Sequence, residues 1–163
     1  MLSATLLNTV AITPTTGQMP MPISWRDHAS PQAQTDISGL YSQALTLIRR
    51  QLADHRGFSP FAIVTGHSGD HNLRMAPTAS TKTAILDALT LDSDTTNSRA
   101  ILIAIDVSLP PDGTDAAELL IEHADGVALQ FIVPYSIGPD GAHLDADRVI
   151  AAPGTRRIWT LRL

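Results

Sequence analysis

The densest group of side chains able to do chemistry is Gly66-His67-Ser68-Gly69-Asp70-His71. Imidazole and carboxylate together suit Zn or Mn. His67, Asp70 and His71 would supply three such ligands, and His143 a fourth from elsewhere. The same residues approach G-x-S-x-G, the elbow that exposes a nucleophilic serine between a strand and a helix. Asp70 stands where the last glycine belongs, however, and Leu73, Arg74 and Pro77 carry no helical period. The spacing therefore reads first as a hairpin tip with Ser68 in solvent. A hydrolase or metal-dependent enzyme using the His67–His71 turn is the alternative, and it needs a partner group from another element.

Other acidic clusters offer less. Asp140-Gly141-Ala142-His143-Leu144-Asp145-Ala146-Asp147 lacks the alternating ligands, central glycine and terminal Glu of a calcium loop. Glu118 and Glu122 lie four residues apart on a strand, roughly 13 Å along it. A retaining glycosidase dyad requires roughly 5 Å. They are expected on the solvated side of a sheet. No GxxxxGK[ST], GxGxxG, HExxH or CxxC occurs, so nothing in the chain asks for a cofactor.

Composition narrows the classes further. A net charge of −5 with Lys82 as the only lysine argues against a nucleic-acid partner. The pairs Arg49-Arg50 and Arg156-Arg157 read as solvated faces. Without cysteine there is no disulfide or thiol nucleophile, which fits a cytoplasmic location. No apolar run approaches the roughly 20 residues of a membrane helix. Met1 to Val10 lacks the basic start of a signal peptide. Residues 1–30 read as a loose leader, with Met19 and Met21 as alternative starts, and 31–163 as a single domain.

The elements that must position these groups are better marked. Ile37, Leu40, Tyr41, Ala44, Leu47, Ile48 and Leu52 form one stripe at helical spacing. Ser30-Pro31 can begin that helix, and Gly57 can end it in the left-handed conformation. Pro60–Thr65 and Asn72–Met75 read as strands around the turn. Thr81–Leu89 reads as a second helix with Ile85, Leu86 and Leu89 inward.

From Arg99 to Tyr135 three strand-like runs follow one another as an antiparallel meander. A two-residue turn at Asp125-Gly126 would set Glu122 against Leu129, so the expected loop is Ala124-Asp125-Gly126. That pairs Ile121 with Leu129 and Leu119 with Phe131, closed by a left-handed Gly126. Ile103, Leu119 and Leu129 are then expected on one core face. Gly138–Asp147 reads as a polar excursion and Arg157–Leu163 as a last strand. The order implies an α+β two-layer sandwich, an antiparallel sheet of about five to six strands with two helices on one face.

Gly57-Phe58-Ser59-Pro60-Phe61-Ala62, Glu122-His123-Ala124-Asp125-Gly126, Val133-Pro134-Tyr135, Pro153-Gly154 and Arg157-Ile158-Trp159 give the chain a resemblance. Between Ser42 and Trp159 it resembles a family of small uncharacterised bacterial cytosolic proteins. Its shared features are structural punctuation, and the resemblance implies a self-contained domain with no assigned activity, cofactor or catalytic residue.

With no convergent catalytic set, the expected function is a non-catalytic protein-interaction domain, with a homo-oligomer as one form of that contact. It would pair through sheet edges or an uncovered face carrying Leu102, Ala104, Leu120 and Ile132. Tyr135 and Trp159, near strand ends, are further candidates for that surface. A small-ligand module with a cleft between sheet and helices is a third reading.

Overall fold

The computed structural model describes residues 25–76, 78–90 and 97–159. Helix α1 (Pro31–Asp54) begins as its sequence demands: Ser30 Oγ accepts the Ala33 N–H at 3.1 Å, and Pro31 occupies the first turn. Its stripe of Ile37, Leu40, Tyr41, Ala44, Ile48 and Leu52 is buried. The helix stops at Asp54 with an extended His55, so Gly57 does not end it. Gly57 instead lets a carboxylate approach the chain. A Cβ there would lie 2.5 Å from Asp106 Oδ2, the atom that accepts the Phe58 N–H.

Among the described residues seven strands form one antiparallel sheet: β1 (Phe61–Gly66), β2 (His71–Met75), β3 (Ser98–Leu109), β4 (Thr114–His123), β5 (Ala128–Gly138), β6 (Gly141–Leu144) and β7 (Ile150–Pro153). Their order is β2-β1-β3-β4-β5. The outer edge of β5 is shared, β7 covering Leu129–Ile132 and β6 covering Tyr135–Gly138. The sheet curls so far that α1 touches β1, β3, β4 and β6.

The β4–β5 hairpin has the expected register. Ile121 faces Leu129, Leu119 faces Phe131, and the His123 N–H donates to the Val127 carbonyl at 2.8 Å. Gly126 closes the turn at a φ of +117°, where a β-carbon would be strained.

Strand β3 departs from expectation. Leu102 pairs with Ile121 and Ile103 with Leu120, so Ile103 lies on the face opposite Leu119 and Leu129. Ala100 to Ile105 is apolar at every position and buried on both sides, so alternation could not say which side faced which helix. Under α1 lie Phe61, Ile63, Leu102, Leu119, Leu129 and Phe131, and Tyr41 meets the Phe131 ring edge-on at 5.1 Å. Helix α2 (Lys82–Thr90) brings Ile85 and Leu89 to the other face, against Ala62, Val64, Ile101, Ile103 and Leu120. The two helices therefore cover opposite faces, and the two-layer arrangement with both on one side is corrected.

Three more expectations change. Trp25 and Ala29, assigned to the leader, are buried in the α1 core. The supposed polar excursion contains β6 and is followed by β7, whose Ala151 and Ala152 gave too little pattern to recognise. Arg157–Trp159 is a bent segment and not a strand; Leu161 and Leu163 lie outside the described residues.

Candidate functional site

The Gly66–Asp70 turn is built by its own backbone. The Gly66 N–H donates to the Asp70 carbonyl and the Gly69 N–H to Gly66, both at 2.9 Å. Ser68 Oγ donates to Asp70 Oδ1, and this hydroxyl holds the exposed carboxyl below its ordinary range. The serine thus meets a carboxylate with no imidazole between them. His67, Ser68, Asp70 and Asn72 are exposed around a polar hollow of about 470 Å³ whose wall includes Arg74 and Ser98, and His71, also exposed, is not part of that wall. His143 lies on β6, across the sheet from β2. Among the described residues no three of His, Asp and Glu gather closely enough to hold a metal ion. The residues singled out from sequence are not brought together.

The geometry gathers other acids, and each ties one segment to the sheet. Asp36 on α1 accepts two bonds from Arg99, at 2.8 and 2.9 Å, and a third from His123 Nε2 at 2.8 Å. Burial pushes its carboxyl up, but the Arg99 and His123 hydrogen bonds outweigh it and hold the pKa below the usual carboxylate range. His123 Nδ1 accepts the Asp125 N–H at 3.2 Å, and Asp125 Oδ2 accepts Ser30 Oγ at 2.7 Å. The two imidazole nitrogens are thus both engaged, one by α1 and one by the hairpin turn.

Asp106 accepts the Tyr135 hydroxyl at 2.7 Å as well as the Phe58 N–H. Burial, then that bond and the charge behind it, raise the Tyr135 phenol well above its ordinary value.

Glu118 and Glu122 overturn the expectation of a solvated side; both are buried. Glu118 takes Lys82 Nζ at 2.9 Å, tying α2 to β4, and also takes Gln130 Nε2. The Glu122 carboxylate accepts the consecutive backbone N–H groups of Arg157, Ile158 and Trp159 at 2.6 to 3.1 Å. Four paired acids inside one small body were not legible in advance, because their partners come from 12 to 87 residues away. Their common signal was a charged residue inside an otherwise apolar strand or helix stripe.

The surface residues expected from sequence do not form one exposed face. Leu102 is fully buried beneath α1, whereas Leu120 and Ile132 are buried on the opposite side. The Tyr135 ring packs 6.4 Å from Phe58. Trp159 is partly buried against the α2-side core. Among the described residues the exposed large apolar side chains are instead Leu73 at 48%, Met75 at 47% and Ile137 at 38%. Two of them sit on β2, the strand that ends the sheet. Their signal was there: His71, Leu73 and Met75 alternate with Asn72 and Arg74.

Comparison with protein families, with curated proteins and with solved structures returned no match. No helix among the described residues is long and apolar enough to cross a membrane.

Proposed function

We propose that this chain is a non-catalytic, cytoplasmic protein-interaction domain that acts through contact with a second copy of itself. The observation that carries the reading is the gathering of exposed apolar side chains on a terminal strand. Leu73 and Met75 lie opposite Ile63 and Phe61, on the face α1 covers elsewhere. They extend the apolar face past the helix into solvent. Neighbouring exposed apolar groups on an open sheet edge suit burial against a partner.

What weighs against the hydrolase and metal readings is positional. His67, Asp70 and His71 stand on one exposed turn, and among the described residues no three of His, Asp and Glu gather closely enough to hold a metal ion. The buried acids and imidazole that could be tuned for catalysis already hold the fold together. The shallow groove of about 360 Å³ beside Trp25, Asp125 and Pro153 presents too few converging polar groups to favour the small-ligand reading. The absence of cysteine suits a reducing compartment.

The test is the mass of the full chain from about 1 to about 300 µM, by sedimentation velocity. A reversible rise toward twice the chain mass is expected. A single-chain mass throughout would end the self-association reading.

A further inference from the structure

We infer that two copies join by antiparallel pairing of β2 with β2 of the second copy, about a two-fold axis passing through Leu73; this rests on the self-association reading above. The backbone supplies the first argument. The Ala76 N–H donates to the Pro60 carbonyl and the Gly66 N–H to the Asp70 carbonyl. An antiparallel ladder repeats every second residue. Asn72 and Arg74 therefore turn their N–H and C=O groups toward β1. His71, Leu73 and Met75 turn theirs outward, where no strand of the described residues lies.

Side chains give the second argument, independent of the first. The outward-bonding residues are the same three whose side chains lie on the α1 side of the sheet. A two-fold axis at Leu73 sets Leu73 against Leu73, and Met75 against His71 of the other copy. On the opposite face Arg74 then meets Asn72, not another Arg74. No like charges oppose each other, and both apolar side chains leave water. A shift by two residues toward Met75 would set Arg74 against Arg74, a shift toward His71 would part the two Leu73 side chains, and either would leave an outward group unpaired.

The third argument is the lack of a guard among the described residues. Exposed edge strands are commonly blunted by a bulge, an internal proline or lysine, or a covering element. Strand β2 pairs with β1 in unbroken register from Thr65↔His71 to Phe61↔Met75, and contains no proline or lysine. Five paired residues make a short interface, so the dimer is expected to exchange and to be held in the micromolar range.

A charge swap at the axis tests this on the full chain. Leu73→Lys and Leu73→Glu each place two like charges opposite one another, and Leu73 is exposed enough that neither should disturb folding. Each variant alone is expected to weaken the dimer at least about tenfold, whereas an equimolar mixture should form the mixed dimer. Ile137→Lys, at the other exposed apolar position, should leave dimerisation unchanged. A wild-type dimer unaffected by either Leu73 variant, or abolished by Ile137→Lys, would overturn β2 pairing while leaving self-association standing. Variants that are monomeric alone and stay so when mixed would overturn the two-fold register. A wild-type chain that never dimerises would remove both readings together.

Discussion

The two outer boundaries of the sheet are built on opposite plans. At β5, two short strands close the edge in succession: Leu129 to Ile132 finds ladder partners on both sides, and β6 takes over the outer side from Tyr135 to Gly138. Behind it, Tyr135 is anchored through Asp106, and Glu122 of the adjoining strand holds the tail. At β2 nothing comparable exists among the described residues: one neighbour, exposed side chains, and the largest apolar groups in water. The β5 side is built for stability, and the β2 side leaves hydrogen-bonding capacity unused. The difference separates what holds this fold together from what it can offer a partner.

The sharpest way to break the contrast is to unpair the interior. Asp36→Ala removes the acceptor of both Arg99 and His123 and leaves two polar groups without their partner. A loss of about 3–5 kcal/mol in urea unfolding is expected, because breaking a buried pair strands the other member. A cost below about 1 kcal/mol would show that the cluster is incidental. Phe131→Ala, which empties the space under Tyr41, should cost a similar 3–5 kcal/mol by the same measurement.

Glu122→Gln tests the tail with a smaller effect. One carboxylate now accepts backbone N–H groups from three consecutive residues. The amide keeps one acceptor oxygen and introduces donors facing donors. A loss of about 1–3 kcal/mol is expected, with faster trypsin cleavage at Arg156 and Arg157. Unchanged cleavage would mean that the carboxylate does not hold the segment.

The pH limbs sharpen the comparison further. Asp36 has its pKa lowered in the folded state, so its stabilisation is present above the unfolded value near 4 and fades as pH falls through the folded one. Asp36→Asn should therefore flatten the acid limb of a stability-against-pH curve. Burial raises the Tyr41 phenol to about 12 and raises Tyr135 as well. With the chain's two tyrosines both raised, tyrosinate absorbance should show no step near pH 10 until the protein unfolds. Their contribution is complete below pH 10 and is lost as pH climbs through the folded values. At the weak end, Leu73→Lys should change stability by less than about 0.5 kcal/mol, as surface substitutions do, while it disrupts the dimer.

How much of this was legible in sequence follows from how local each cause is. Helix α1 and the β4–β5 hairpin could be read because a cap, a periodic stripe and one glycine decide them within a few residues. The face expected for strand β3 is the wrong one, since Ile101, Leu102, Ile103 and Ile105 satisfy either side. With Ile103 set beside Leu119 and Leu129, α2 falls on the wrong side of the sheet. The acid clamps were invisible because Asp36 and His123, or Glu122 and Trp159, meet only after the sheet has formed. The Gly66–His71 turn drew attention through residue type alone, and type without convergence makes no site.

The most direct measurement is amide hydrogen exchange of β2, residue by residue, at low and high protein concentration. Asn72 and Arg74 should be protected at both, by β1. His71, Leu73 and Met75 should exchange freely when dilute and become protected as concentration rises. If those three amides behave identically at both concentrations, whether open or closed, the edge does not pair with a second copy.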